Sequence, residues 1–220
     1  MGNTPDVLND CVADLTLGLI IDVARGIGAS ERYLRAGRWP KGPYPLQRKV
    51  SGKRLGILGL GRIGQAIARR ARAFDLELRY HNRRPAADAG MPYEKTLVDL
   101  ARWADFLVVI VPGGEGTRRL VNAEVLEALG PEGYLINVAR GTVADEPALV
   151  RALVERRIAG AALDVFENEP QVPAELMALD NVVLVPHIGS ATVETRAAMA
   201  QRVFDNLQSF FANGRVISPA

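Results

Sequence analysis

Three side chains of different chemistry stand late in the chain, each just after an apolar run. They are Arg140 in Asn137-Val-Ala-Arg-Gly141, Glu169 in Asp164-Val-Phe-Glu-Asn-Glu-Pro170 and His187 in Pro186-His-Ile-Gly-Ser190. By type they are an anion binder, a carboxylate and a proton donor. Singly each has a plain structural reading: a surface cation, a turn residue and a satisfied histidine. Their significance therefore rests on whether one crevice collects all three.

A second group lies earlier. Gly59-Leu-Gly61-Arg62-Ile63-Gly64 follows an apolar run and opens a helical pattern through Ala66, Ile67 and Ala71. In that setting the first glycine permits a tight turn, the second lets the backbone approach a pyrophosphate, and the third lets helix and strand pack closely. The helix N-terminus adds amide donors and positive dipole for the anion. About 20 residues beyond the first glycine, such sequences usually place an acidic residue for the adenosine ribose. Here that region reads His81-Asn82-Arg83-Arg84. A carboxylate would accept from the free 2′-hydroxyl of NAD and repel the 2′-phosphate of NADP; arginine reverses both preferences. The reading is a 2′-phosphate clamp built on Arg83, with Arg84 a second contact or a stacking partner for adenine, and NADPH favoured over NAD. The alternative is a pair of solvated surface arginines. His81 is read as a support for the turn.

The elements that must position these groups form a regular series. Apolar runs at 54–58, 76–80, 106–111, 134–138, 160–165 and 182–185 alternate with helical patterns. Nearly continuous apolar runs separated by crossover-length segments predict an α/β fold, a Rossmann-like doubly wound parallel sheet with flanking helices. Thr96 with Asp99, Asn122, and Asp145 before Glu146-Pro147 are helix start signals. Residues 6–26 and 192–212 read as longer flanking helices with contacts outside the sheet, and 37–49, rich in Pro, Gly and basic residues, as an arm.

Composition bounds the function. The chain has 220 residues, 48% hydrophobic and 24% charged, enough for a globular core. Its net charge of +2 reflects 27 basic against 25 acidic residues, which argues against nucleic acid as a partner. Cys11 is the single cysteine, which excludes an internal disulfide or a cysteine metal cluster and suits the cytosol; no metal site is expected. The most apolar early run, 15–21, is too short to span a bilayer, so no membrane association is expected.

With these residues in view, the sequence resembles the D-2-hydroxy acid dehydrogenase family, and within it the hydroxypyruvate/glyoxylate and hydroxyphenylpyruvate reductases. The resemblance is carried by Asn3-Thr-Pro-Asp-Val-Leu-Asn9, Leu58-Gly-Leu-Gly-Arg-Ile-Gly64, Ile136-Asn-Val-Ala-Arg-Gly141 and the segments around Glu169 and His187. It implies that His187 is the acid/base, Glu169 its partner, and Arg140 the group holding the carboxylate and carbonyl of a small 2-oxo or 2-hydroxy acid. It also implies that Val111, Pro112, Thr117, Val138, Ala139, Asp164 and Gly189 lie near the nicotinamide and its ribose. After Pro112 the chain departs from the family pattern, with Gly113-Gly114-Glu115-Gly116 in place of a Leu/Thr/Pro-rich segment.

The resemblance further implies a nucleotide-binding domain over 1–220. Residues 1–50 would form hinge or dimer helices and arm, 51–190 the Rossmann core and 191–220 a C-terminal helix, with the family's substrate domain missing. Such a chain would bind NADPH as a homodimer but turn over slowly or not at all alone. The alternative function is a nucleotide-sensing scaffold of the kind found in related corepressors.

Overall fold

The computed structural model describes residues 2–87 and 89–219. Two helices lead, α1 (Asn9–Arg25) and α2 (Ile27–Arg35), then an arm with one 3-10 turn at Trp39–Lys41. The sheet unit follows as β1 (Arg54–Leu58), α3 (Arg62–Ala71), β2 (Glu77–His81), α4 (Leu97–Trp103), β3 (Phe106–Val109), α5 (Ala123–Leu129) and β4 (Tyr134–Asn137). It continues with α6 (Glu146–Val154), β5 (Gly160–Leu163), the single helical turn α7 (Ala174–Met177) and β6 (Val182–Leu184), and the chain closes with α8 (Val193–Asn213).

All six strands pair in parallel, in the order β2-β1-β3-β4-β5-β6. This is the Rossmann-like α/β sheet that the apolar runs predict. Its strands end one or two residues sooner than most of the runs, because Val111, Val138 and Val165 have left the ladder to turn at the sheet's edge. Tyr93 adds an isolated parallel bridge to Tyr80 outside β2.

Side chains alternate between two covered faces, as a pleated strand requires. Ile57, Phe106, Val108, Ile136 and Ala162 pack with α1 and α3, whereas Leu58, Leu107, Val109, Leu135 and Leu163 pack with α4, α5 and α6. The leading helix flanks the sheet, as the sequence predicts for residues 6–26. Its Ala13, Leu17, Ile20 and Ala24 are buried in the first of these cores, so α1 is a layer of the fold. Sequence reading passed over α2, which has no buried residue.

The helix starts behave as their side chains dictate. The oxygens of Thr96, Asn122 and Asp145 accept from the main-chain N–H three residues on, at 3.1, 3.1 and 3.2 Å. Thr192 does the same for α8 at 3.2 Å. That last helix buries only Thr195 and Asn206 and leaves Phe204, Leu207, Phe210 and Phe211 exposed. Asn206 joins the two ends of the chain, bonding Asn3 O at 3.3 Å and both the main chain and hydroxyl of Ser218.

Register puts Leu58 level with His81 and Val109, Val109 with Asn137, Asn137 with Leu163, and Leu163 with Leu184. Every strand therefore stops at one edge. The chain reverses at β1, winding first to β2 and then back to β3, so a crevice opens between the exits of β1 and β3.

At the opposite end, Asp105 fixes β1 to β3 by accepting from the main-chain N–H of Arg54 at 2.8 Å and from its guanidinium at 3.1 and 3.2 Å. Burial pushes the Asp105 carboxyl up, but the hydrogen bonds and charge of Arg54 outweigh it and hold the group below the ordinary carboxylate range. A depressed carboxyl contributes stability that is present above the unfolded-state value of about 4 and is lost as pH falls through the folded-state value. Asp105→Ala is expected to lower stability at pH 7 by about 1–3 kcal/mol. Thermal unfolding across pH is the check: the gap from wild type should narrow below about pH 4, and a gap independent of pH would refute the assignment.

Candidate active site

The turn after β1 is shaped by what cannot fit beside it. Gly59 has φ 108°, and a Cβ there would lie 2.6 Å from the carbonyl oxygen of Ile110 where β3 exits. A Cβ on Gly64 would stand 2.2 Å from the carbonyl oxygen of Gly59, so helix α3 can approach its own strand only as glycine. Gly61 differs: it caps α3 in extended conformation and a Cβ there would meet nothing within 4 Å. The space in front of Gly61 is the cradle itself. No side chain caps α3, so the N–H groups of Arg62, Ile63 and Gly64 open onto it without an intrahelical partner. These residues fit a dinucleotide pyrophosphate.

A cavity of about 520 Å³ runs from this cradle along the strand exits. Its walls include Gly61 to Gly64, then Val111 and Pro112, Val138 to Arg140, Asp164, and finally His187 and Gly189. Arg140 and His187 thus share one cavity with the glycine loop, and Glu169 stands behind His187, off the cavity wall. The N-terminal segment Thr4 to Asn9 forms a further wall that sequence reasoning did not assign to the site. Its signal was the Asn3–Asn9 motif, noted only as a likeness. Asp6 in this wall has φ 70° and pairs with Arg62 at 3.2 Å.

The His187 turn is held by a buried carboxylate. Asp164, at the exit of β5, accepts the main-chain N–H of Ile188 at 2.6 Å and of Gly189 at 2.9 Å. Burial raises its carboxyl, against the pull of these two donors. Between these anchors and a bond from its own N–H to Val185 O, His187 takes φ 53°. Its Nδ1 lies 2.7 Å from Glu169 Oε2, and Glu169 Oε1 accepts from the Phe166 N–H at 3.0 Å. Burial pushes the Glu169 carboxyl up, but the His187 and Phe166 hydrogen bonds and the charges of His187 and Arg140 outweigh it and hold it below its ordinary range. An ionised carboxylate only accepts, so Nδ1 carries the proton toward Glu169 and Nε2 stands on the far side of the ring.

Arg140 is fixed from behind. Asn137, almost fully buried, accepts from Ala139 N at 3.1 Å and donates to Arg140 O at 3.2 Å. Gly141 lies so close to Phe166 that a Cβ would sit 1.9 Å from its carbonyl carbon. The Arg140 turn and the Glu169 turn are thereby locked together through Phe166. The guanidinium donates to Ala139 O at 2.6 Å.

Other predicted residues fall at the margin. Asn82 accepts from Leu60 N at 2.7 Å and so ties the end of β2 to the glycine loop. Arg83 and Arg84 are exposed beyond it, with no hydrogen bond or ion pair to another described residue, and are not on the cavity wall. His81 supports this turn, as expected, through Nδ1 at 2.9 Å from Glu94 O and stacking on Tyr93. Thr117 is also off the wall: its hydroxyl bonds Pro112 O at 2.7 Å and Gly114 O at 3.1 Å, bracing the loop after β3. Among the described residues no group of three metal-ligating side chains occurs, and no helix is long and apolar enough to cross a membrane.

Residues 17–189 match the family described as D-isomer specific 2-hydroxyacid dehydrogenase, NAD binding domain. The chain belongs to this family. Among its D-2-hydroxyacid dehydrogenase relatives, glyoxylate/hydroxypyruvate reductase A HPR2 of Arabidopsis thaliana is 51% identical over 217 residues, covering 99% of this chain and 69% of that protein. Hydroxyphenylpyruvate reductase of Plectranthus scutellarioides is 51% identical with the same coverage. A crystal structure of NADPH-dependent glyoxylate/hydroxypyruvate reductase from Sinorhizobium meliloti in complex with NADP and malonate superposes with a TM-score of 0.96 at 50% identity. The match covers 100% of this chain and 69% of that one.

The glycines make separable demands. Gly64→Ala is expected to destabilise the fold by about 1–3 kcal/mol through overpacking. Gly61→Ala is expected to leave Tm unchanged while abolishing NADPH binding, read by calorimetric unfolding and fluorescence titration. Undiminished NADPH affinity in Gly61→Ala would place the nucleotide elsewhere.

Proposed function

We propose that this chain forms the nucleotide-binding and proton-donating half of an NADPH-dependent reductase converting a small 2-oxo acid to its D-2-hydroxy acid. Glyoxylate, hydroxypyruvate and aryl pyruvates are the candidate substrates. The observation that carries the reading is the 2.7 Å contact of Glu169 with His187, which lines the same cavity as Arg140 and the glycine cradle. The kinship with glyoxylate/hydroxypyruvate reductases supports it.

NADPH, when bound, supplies the hydride for the carbonyl carbon. The residues of this chain do the rest. Arg140 pairs with the substrate carboxylate and steadies negative charge growing on the carbonyl oxygen. His187 delivers a proton from Nε2 to that oxygen, and Glu169, accepting at Nδ1, holds its ring in place. Asp164 keeps the imidazole turn rigid. Val111, Pro112, Val138 and Ala139 line the adjoining wall and exclude water from the reacting centre.

Arg83 is proposed to pair with the 2′-phosphate of NADPH, with Arg84 beside it. Support comes from their place one step beyond Asn82, which touches the glycine loop, and from the NADP in the Sinorhizobium meliloti structure. NAD remains the less favoured cofactor. The exposed Trp39 and Leu46 of the arm support a homodimer, and the exposed aromatic face of α8 supports a second domain that closes over the cavity for turnover. We place the protein in the cytosol.

In the complete protein, His187→Ala is expected to slow NADPH oxidation by hydroxypyruvate about 10²–10⁴-fold. A rate that does not depend on His187 would favour a nucleotide-sensing scaffold. Arg83→Ala is expected to shift the ratio of NADPH to NADH affinity by about tenfold or more; an unchanged ratio in fluorescence titrations would remove the clamp.

A further inference from the structure

The loop after β3 reads Pro112-Gly-Gly-Glu-Gly-Thr117, and its three glycines are not equivalent. Gly114 has φ 150° and needs glycine for its backbone. Gly116 has neither such a φ nor any neighbour that a Cβ would meet within 4 Å. Gly113 also lies outside the left-handed region, so its backbone would accept any residue. Its restriction is a contact: a Cβ there would stand 2.8 Å from Cγ of Arg140, 3.3 Å from its Cβ and 3.8 Å from its Cδ.

Arg140 has no room to yield by its main chain. Asn137 holds both its carbonyl and the preceding N–H, and Gly141 behind it already abuts the Phe166 carbonyl. Only the side chain can move. The displaced atom would be Cγ, at the root of the side chain, so a small torsion there carries the guanidinium through a wide arc. The guanidinium now rests within 2.6 Å of Ala139 O, on the wall that also holds His187.

We infer that Gly113 is a positioning residue for Arg140, the missing side chain at 113 being what lets the guanidinium stand over the cavity to receive the carboxylate of a 2-oxo acid. The inference rests on the reductase reading for its consequence in catalysis, and on the Gly113–Arg140 contact alone for its geometry. Gly113 thus sets how tightly the substrate anion is held without touching it.

Gly113→Ala in the complete protein should raise KM for hydroxypyruvate about tenfold or more, the loss expected when a charge-assisted hydrogen bond is misaligned. The change in kcat should be smaller, and NADPH Kd and Tm should hold. Gly116→Ala should keep the wild-type KM. In an Arg140→Ala background, which removes Cγ, adding Gly113→Ala should change kcat/KM no further. An unaltered KM in Gly113→Ala, or an equal penalty with and without the Arg140 side chain, overturns the inference. Lack of turnover in every form, wild type included, counts against the reductase reading instead. The crystal structure of Gly113→Ala then decides the positioning role: a guanidinium displaced from Ala139 O supports it, and an unmoved one overturns it.

Discussion

The site depends on one buried carboxylate. Asp164 leaves β5 with its side chain facing the exit of β6, and two main-chain N–H groups converge on it at 2.6 and 2.9 Å. That double contact fixes the turn at Ile188 and Gly189, and with it the left-handed backbone of His187. Such a conformation is uncommon for a residue with a side chain and persists where its surroundings over-determine it. Even Gly189 is constrained, since a Cβ there would come within 2.9 Å of Asp164 Oδ2. Without this anchor the turn would rest on main-chain bonds alone, chiefly His187 N–H to Val185 O.

The remaining parts are locked to that anchor through the sheet. Parallel register brings the exits of β1, β3, β4, β5 and β6 to one level, so that glycine cradle, arginine turn and imidazole turn need only short loops to meet. Phe166 is the joint between two of them. Its carbonyl packs on Gly141, and its N–H bonds the carboxylate that orients His187. The turns carrying Arg140 and Glu169 are therefore joined at one residue, and on its other side Arg140 packs where Gly113 has no side chain.

Much of this was legible in the amino-acid sequence because local chemistry and global fold agree. Doubly covered strands need continuous apolar runs, which the sequence displays, and Thr96, Asn122 and Asp145 start helices by capping donors that would otherwise be unsatisfied. The glycine loop was legible for the same reason, Gly59 and Gly64 each answering a steric demand that only their place between strand and helix creates. Other features were hidden because they arise from distant contacts. Nothing near Asp6 in the chain announces Arg62, and nothing in the Gly113 segment announces Arg140. Helix α2, which has no buried residue, was not read from the sequence. Thr117, matched by likeness to the nicotinamide site, turns its hydroxyl into its own loop.

The central claim is that one edge of the sheet presents His187 Nε2 and the Arg140 guanidinium together, beyond a nucleotide held on the amides of Arg62 to Gly64. A crystal structure of the protein with NADP and the substrate-like dianion oxalate tests it most directly. The expected result has oxalate on the Arg140 guanidinium and one oxalate oxygen about 2.7–3.2 Å from Nε2, with the His187–Glu169 contact retained. Oxalate bound away from Arg140, or an imidazole whose Nε2 faces bulk solvent, would contradict the account.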